Sequence, residues 1–142
     1  MSRASLPLRI EGRADLEALL ARTTNYEEKR PRVRERPSFR LERVRHLLAA
    51  VGDPQEAIPP VHLAGSKGKG STARMVEAAL RRGGLGPVGL FTSPHLEDLA
   101  ERIAVDGVPA PEEEIARAAD HLLPYVRRTL DGPDAPSFFE IL

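Results

Sequence analysis

Glycines, lysines and hydroxyl side chains crowd one stretch of this 142-residue chain, between an apolar segment and a predicted helix. They occupy eight consecutive positions: Gly65, Ser66, Lys67, Gly68, Lys69, Gly70, Ser71 and Thr72. Glycines let backbone N–H groups approach an anion closely, lysines neutralise its charge, and a helix N-terminus adds unpaired N–H donors. We therefore predict that this stretch, the 65–72 loop, binds phosphate; a solvated Gly/Ser-rich turn is the alternative.

The 65–72 loop departs from the general phosphate-loop pattern G-x-x-x-x-G-K-[ST] at two points. Leu63 stands where the pattern has its first glycine, and Gly70 separates Lys69 from Ser71. The order of elements still matches, because residues 61–64 predict a strand and Lys69 begins a helical pattern. In such loops the lysine binds phosphate oxygens, and the hydroxyl that follows reaches the Mg²⁺ that accompanies ATP.

The composition is that of an ordinary globular chain, long enough for about one domain. Apolar residues make up 41% and charged residues 30%, with 21 basic side chains, 21 acidic side chains and no cysteine. Zero net charge argues against a general nucleic-acid or membrane surface, and the missing cysteines exclude disulfides and thiolate metal sites. No apolar run approaches the roughly 20 residues of a membrane-spanning helix, so we expect a cytoplasmic protein without nucleic-acid or membrane partners.

A strand–helix–strand unit is predicted to position the loop. The helix spans residues 69–82, and residues 87–91 form a second buried strand. The helix is expected to bury four apolar side chains: Met75, Val76, Ala79 and Leu80. Such a unit implies parallel strands joined by a right-handed crossover, with ligands bound beyond the carboxyl ends of the strands. Ser93 follows the second strand directly, so we expect it to face the same crevice as the 65–72 loop.

The rest of the chain predicts further helices and one hairpin. Asp106-Gly107 predicts a tight turn after a short strand at residues 102–105. Residues 1–12 lack a strong period and predict a loose lead-in. The charged segment 27–37 predicts a solvated loop, with a basic contact for an anionic ligand as the alternative. Helical spacing recurs at three other places: residues 13–22, 38–51 and 112–130.

The end of the chain predicts one more helix start. Ser137 and Glu140 have capping-box spacing, ahead of an apolar run that continues to Leu142. We divide the chain into a helical lead-in with the charged loop, residues 1–60, and a strand–helix–strand core, residues 61–142. Because the last apolar run has no predicted partner, we expect these residues to be the front part of a longer protein.

Several motifs, in the same order, resemble the folylpolyglutamate synthase and dihydrofolate synthase family, which is related to the Mur cell-wall ligases. The run from His62 to Thr72 resembles the family signature His-Val-Ala-Gly-Thr-Asn-Gly-Lys-Gly-Ser-Thr, with Ser66 and Lys67 in place of Thr and Asn. Gly70, which does not fit the general phosphate-loop pattern, is part of that signature. The resemblance spans about residues 24–142. Its other matching segments are Asn25-Tyr26-Glu27, Leu41-Glu42-Arg43-Val44, Thr92-Ser93-Pro94-His95-Leu96, Glu101-Arg102-Ile103 and Phe138-Phe139-Glu140.

The resemblance implies an ATP-dependent amide ligase of the α/β class, with a phosphate loop and a mostly parallel sheet flanked by helices. In that family the γ-phosphate of ATP passes to a dihydropteroate or folate carboxylate, and the amino group of L-glutamate attacks the acyl phosphate. The present residues correspond to the N-terminal part of the ATP-binding domain, without the C-terminal domain. We therefore expect no amide formation by the chain alone, and a monomer for the full-length protein.

By the same resemblance, ATP and Mg²⁺ are the cofactors. The 65–72 loop is expected to hold the phosphates, with Lys69 as their principal cation. Ser71 is expected beside the magnesium ion of the β- and γ-phosphates, while Ser93 and Glu140 match ligands of a magnesium ion at the γ-phosphate. The resemblance thus makes Lys69 and Glu140 the expected catalytic residues, and Ser71, Ser93 and Glu140 the expected metal ligands.

Each of these assignments has a structural alternative. Without the resemblance, Glu140 is the second member of a capping box, Ser93 starts a turn, and His62 and His95 are structural. The adjacent charges of Glu101-Arg102 are interpreted as a solvated pair, with a substrate contact as the alternative. Two other functions also stay open: a nucleotide-binding module without catalysis, and a Mur-type peptide ligase. Two features argue against the peptide ligase: the glycine after the loop lysine and the Thr-Ser-Pro-His segment.

Overall fold

A computed structural model describes residues 6–27 and 41–142 of the chain. The chain divides into two compact units, one made of Met1–Ile58 with Ala116–Leu142 and the other of Pro59–Ile115. Most of the charged segment predicted at residues 27–37 lies outside the described residues, as does the start of the helix predicted from residue 38. The predicted division of the chain after residue 60 stays a prediction.

Five α-helices and three strands follow one another along the described chain. In order they are α1 (Arg13–Leu20), α2 (Leu41–Ala49), α3 (Lys69–Arg82), β1 (Gly89–Phe91), β2 (Ile103–Val105), β3 (Val108–Pro109), α4 (Glu112–Thr129) and α5 (Phe138–Ile141). The helices predicted to begin near residues 13, 69 and 112 are confirmed. Among the residues that the structure describes, no helix combines the length and apolar character that a membrane crossing requires.

Apolar helix faces form the core of the first unit. α1 contributes Leu16, Leu19 and Leu20, each no more than 5% exposed, at the helical spacing that the sequence predicts. Burying such leucines provides the main driving force for packing the short helices of this unit. The other buried apolar residues of this unit are Ile10, Leu47, Ala116, Ala119, Leu123, Tyr125, Val126 and Ile141.

The segment before α1 is tied to α4. The backbone N–H of Ile10 donates to Asp120 Oδ1 at 2.8 Å, and the side chain of Ile10 is buried. Arg127 donates to the carbonyl oxygen of Pro7. The expectation of a loose lead-in is therefore wrong for residues 7–10, because one buried side chain and two hydrogen bonds anchor a stretch that shows no period in sequence.

A three-stranded sheet with the order β1-β2-β3 belongs to the second unit, as does α3. Both pairings are antiparallel: Gly89 lies opposite Val105, and Val105 lies opposite Val108. Asp106 and Gly107 connect β2 to β3 with φ angles of 51° and 80°. Two consecutive positive φ angles are what a two-residue hairpin turn of type I′ requires, so the predicted hairpin is confirmed.

The expected mostly parallel sheet is wrong for the strands that the structure describes, since all of their pairings are antiparallel. Residues 61–64, predicted as the first strand, are not assigned as one, and Val61 is 62% exposed. A strand needs a neighbour to satisfy its backbone groups, and the described residues offer none beside 61–64. The second predicted strand, 87–91, is confirmed in its last three residues, which pair with β2. Its expected burial is wrong, because none of these residues is buried and Phe91 is 43% exposed.

The expected buried face of α3 is also wrong. Met75 is 64% exposed, and Ala79 is exposed, while Val76 and Leu80 are half-buried. The residue of α3 that is buried is Glu77, whose carboxylate accepts a hydrogen bond from Arg81 Nε at 3.2 Å. Helical spacing identifies an apolar stripe but not its partner, and within the described chain the stripe is only partly covered.

Candidate functional site

The 65–72 loop turns into α3 through Gly68. Gly68 is the N-cap residue and has a φ of 74°, in the left-handed region that side chains other than glycine rarely adopt. The first helical hydrogen bond runs from Thr72 N–H to Gly68 O at 2.9 Å. The N–H groups of the three residues between them, 69–71, therefore have no partner within the helix and mark its positive end.

Space is open around these amides. A Cβ atom built at Gly68 or at Gly70 would meet no atom within 4 Å, and one at Gly65 would make only ordinary contacts, the nearest at 3.7 Å to Lys67 O. Except for Gly70, which is half-buried, all residues of the 65–72 loop are exposed. The loop thus offers backbone donors in an accessible turn without side chains over Gly68 and Gly70, which fits the phosphates of a nucleotide.

The side chain of Lys69 bridges the two ends of the turn between residues 65 and 69. Its Nζ donates to the carbonyl oxygen of Gly65 at 2.8 Å. An ammonium group has three N–H donors, so two remain for other acceptors while this bond is in place. Lys69 therefore has a structural role in the loop and also keeps an exposed positive charge there.

The two hydroxyl side chains at the start of α3 differ in their bonding. Thr72 Oγ1 donates to Gly68 O at 2.9 Å and so caps a backbone carbonyl of its own helix. The Ser71 hydroxyl makes no hydrogen bond within the part of the chain that the structure describes, and the residue is exposed. Of the two, Ser71 is the hydroxyl that is available to a ligand, and its role at the magnesium ion stays a prediction.

A second loop of the same unit, residues 92–98, carries Ser93 in an exposed position. The carboxylate of Glu101 fixes the end of this loop, because it accepts hydrogen bonds from the N–H groups of Leu96, Glu97 and Asp98 at 2.9, 3.0 and 2.9 Å. These backbone bonds, with the one from Leu96 first, lower the pKa of Glu101 below its usual value of 4.5. The loop after β1 therefore has a defined conformation.

The expectation of a solvated pair at positions 101 and 102 is wrong. Arg102 is 1% exposed, and its Nε–H donates to Nδ1 of His95 at 2.7 Å, so that this ring nitrogen is an unprotonated acceptor. This bond gives His95 a structural contact, whereas His62 is exposed, and the roles of both histidines stay predictions. One sequence signal could have found this cluster, since Asp98 and Glu101 have capping-box spacing and do form a capping box.

The carboxylate of Glu140 accepts four hydrogen bonds within the first unit. Its Oε2 accepts hydrogen bonds from the backbone N–H and the hydroxyl of Ser137 at 2.7 and 2.8 Å, which confirms the predicted capping box. Its Oε1 accepts from Arg43 Nε at 3.1 Å and from Arg43 Nη2 at 2.8 Å. Sequence reasoning missed Arg43 as the partner, and no local signal could reveal it, because 97 positions separate the two residues.

The ionised form of Glu140 is favoured although the side chain is only 10% exposed. Burial is the largest single influence and opposes ionisation. The hydrogen bonds from Arg43 and Ser137, with the charge of Arg43, together outweigh it and hold the pKa of Glu140 below its usual 4.5. An ionised carboxylate is the form that could bind a cation.

The predicted site residues fall into different units. Lys69, Ser71 and Ser93 lie in the unit Pro59–Ile115, whereas Glu140 lies in the other. Within residues 6–27 and 41–142, no group of three or more His, Asp or Glu side chains is placed to hold a metal ion. The predicted metal ligands, Ser71, Ser93 and Glu140, do not form such a group, because two of them are hydroxyls. Hydroxyl and carboxylate groups are nevertheless oxygen donors of the kind that Mg²⁺ prefers. Their chemistry fits the ion, and their joint role stays a prediction.

Comparison with known proteins gives relatives for most of the chain, although no protein-family model matches it. The chain is 48% identical over 100 residues to the "probable bifunctional folylpolyglutamate synthase/dihydropteroate synthase" of Haloferax volcanii, covering 70% of this chain and 12% of that protein. It is 38% identical over 104 residues to the dihydrofolate synthase/folylpolyglutamate synthase of Bacillus subtilis, covering 72% of this chain and 24% of that protein. The chain thus spans only a small part of the length of both relatives.

Solved structures give the same result for the fold. Folylpolyglutamate synthase from Thermotoga maritima matches with a TM-score of 0.68 and 34% identity, over 71% of this chain and 24% of that one. Mycobacterium tuberculosis folylpolyglutamate synthase complexed with ADP matches with a TM-score of 0.65 and 34% identity, over 89% of this chain and 28% of that one. Sequence and backbone therefore indicate similarity to the same group of enzymes.

Proposed function

We propose that this chain, which belongs to the folylpolyglutamate synthase/dihydrofolate synthase family, is the phosphate-binding part of an ATP-dependent carboxylate–amine ligase. The observation that carries the proposal is the start of α3, where the N–H groups of residues 69–71 have no partner within the helix and Lys69 adds a positive charge to the loop. The similarity to a synthase complexed with ADP supports the choice of nucleotide. We place the chain in an ATP-binding domain with a Mur-ligase-like fold, as its similarity to solved folylpolyglutamate synthases supports.

Different groups of the 65–72 loop bind different parts of MgATP. The amides of residues 69–71 donate to phosphate oxygens at the positive end of a 14-residue helix. Lys69 neutralises phosphate charge with the two N–H donors that Gly65 O does not use. Ser71 offers its hydroxyl oxygen to the magnesium ion that accompanies the nucleotide, and Ser66 and Lys67 line the exposed side of the turn.

Ser93 and Glu140 are the proposed ligands of a second magnesium ion at the γ-phosphate. Hydroxyl and carboxylate oxygens are hard donors that suit this ion, and the lowered pKa of Glu140 keeps its carboxylate ionised at neutral pH. When bound, MgATP supplies the phosphoryl group that activates a dihydropteroate or folate carboxylate for attack by L-glutamate. The chain contributes positioning and charge neutralisation, which carry most of the catalysis in phosphoryl transfer.

Nucleotide binding without catalysis is the second candidate for this chain taken alone. It is favoured by Glu140, because all four of its hydrogen bonds go to Arg43 and Ser137 in the described structure. The chain also spans only 12% and 24% of the two relatives compared above. We therefore propose that the 142-residue chain binds MgATP and does not form amides by itself.

Isothermal titration calorimetry with MgATP tests the binding proposal. Lys69→Met should bind MgATP at least tenfold more weakly than the wild type, because the phosphates lose a charge-assisted hydrogen bond. Arg74→Met is the matched control, since Arg74 lies on the same helix, is exposed and makes no hydrogen bond to the described residues. Since Lys69 also holds Gly65 O, circular dichroism must show that the variant is folded. Affinity equal to wild type would remove Lys69 from the site.

Product analysis tests the lack of catalysis. The chain is incubated with MgATP, L-glutamate and either dihydropteroate or tetrahydrofolate, and ADP and the glutamate conjugate are measured by chromatography. We expect neither product beyond a control without protein. Repeated turnovers would show that these residues hold a complete ligase site, and the non-catalytic assignment would be wrong.

A further inference from the structure

The carboxylate of Glu140 is saturated with hydrogen bonds. A carboxylate group offers about four lone-pair sites, and Glu140 uses two donors from Arg43 and two from Ser137. As placed, it has no position left for a metal ion. If Glu140 is a metal ligand, as the proposed function requires, at least one of these partners must leave when the ion binds.

The two partners differ in how readily they can leave. Ser137 lies three residues before Glu140 and holds Oε2 through its backbone N–H as well as its hydroxyl, so releasing it would undo the start of α5. Arg43 reaches Oε1 from α2 with a long side chain that keeps 11% of its surface exposed. Arg43 is also a cation, and a divalent cation would replace the charge that it supplies, whereas the donors of Ser137 are neutral.

We propose that Arg43 is a displaceable counter-ion for Glu140, which occupies Oε1 in the metal-free protein and is exchanged for a divalent cation when the metal site fills. This inference rests on the proposed function, in which Glu140 binds Mg²⁺. In both states a cation balances the negative charge of the mostly buried Glu140 carboxylate, either Arg43 or the metal ion. It also means that metal binding must break the Arg43 ion pair, which weakens the apparent affinity of the site for the cation.

Direct Mn²⁺ binding, without nucleotide, tests the exchange. Free Mn²⁺ is followed by electron paramagnetic resonance in the wild type and in Arg43→Met. Removal of the competing guanidinium should tighten Mn²⁺ binding about tenfold, because hydrogen bonds to charged groups are worth roughly that factor or more. Arg45→Met is the matched control, since Arg45 lies on the same helix, is exposed and makes no hydrogen bond to the described residues. Its Mn²⁺ affinity should equal that of the wild type.

A second substitution locates the effect. In Arg43→Met combined with Glu140→Gln, the tenfold gain should disappear, because the oxygen that was freed no longer carries a charge. A gain that persists in this double variant places the cation elsewhere and overturns the proposal. Equal affinity in Arg43→Met and wild type overturns it as well, and weaker binding would mean that Arg43 positions Glu140 for the metal and does not compete with it.

Arg43→Lys keeps the test valid if Arg43→Met fails to fold. Lysine retains the charge but replaces the planar guanidinium group with a compact ammonium group. We therefore expect a smaller gain in Mn²⁺ affinity, of about threefold. No gain in this folded variant would overturn the proposal. The proposed function fails by another measurement, in which Lys69→Met binds MgATP as tightly as the wild type, and the two failures can therefore be distinguished.

Discussion

Replacing Glu140 with glutamine separates the two structural roles of its carboxylate. Glutamine keeps a carbonyl oxygen that can accept from Ser137, so the capping box alone predicts little loss of stability. The bond to Arg43 changes this expectation. In Glu140→Gln the guanidinium would lie in a mostly buried position without an opposite charge, and the folded state would be destabilised by more than the loss of one hydrogen bond.

The size of the effect follows from the burial of the pair. Removing one partner of a buried ion pair costs about 3–5 kcal/mol. The side chains of Arg43 and Glu140 keep 11% and 10% of their surface exposed, and the glutamine oxygen still accepts one bond from Arg43. Because one bond is kept, we expect a loss at or just below the lower limit of this range, about 2–3 kcal/mol in the free energy of unfolding, or a fall of roughly 6–9 °C in Tm for a chain of this length.

Urea denaturation at several pH values provides the assay. Because the pKa of Glu140 is lowered on folding, its contribution is complete above the ordinary value of 4.5 and is lost as the pH falls through the lower folded-state pKa. The difference between wild type and Glu140→Gln should therefore be constant near neutral pH and shrink in acid. Glu42→Gln, an exposed neighbour of Arg43 on α2, is the control. A difference below about 0.5 kcal/mol at pH 7, or one independent of pH, would refute the reasoning.

Two further predictions concern the loops of the second unit. Gly68→Ala should destabilise the chain by about 1–2 kcal/mol in urea, because alanine is strained at a φ of 74°, whereas Gly70→Ala, with open space and helical backbone, should be neutral or slightly stabilising; equal effects would contradict the geometry. In NMR titrations, the N–H shifts of residues 96–98 should follow the ionisation of Glu101 with a midpoint below 4.5, and should lose this titration in Glu101→Gln but keep it in Glu97→Gln.

Sequence patterns of short range predicted their structures well. α1 and α3 lie where their leucine spacing and loop glycines indicate, the turn at Asp106-Gly107 has the two positive φ angles that these residues favour, and the Ser137 capping box is formed. In each case the decisive contacts lie within four or five positions of the chain, so the residue types on their own determine the local conformation.

Interactions between distant segments could not be predicted in the same way. The direction of the β1 strand pairing depends on which neighbour is available, and Ile10 is anchored by Asp120, 110 positions away. The apolar stripe of α3 was correctly placed on a helix, but its burial depends on what covers it, which the helical period does not specify. The pairing of Arg43 with Glu140 belongs to the same class.

Glu140 illustrates how two interpretations that competed in the sequence can describe one residue. The capping box uses Oε2 and fixes the carboxylate through Ser137, whose two donors lie within the same short segment. Oε1 is then left for a partner from elsewhere, and in the described structure that partner is the cationic side chain of Arg43. A carboxylate that is held by a local cap keeps its position when the partner of its other oxygen changes. Capping is therefore compatible with the proposed metal binding, which would have to replace the Arg43 ion pair at Oε1.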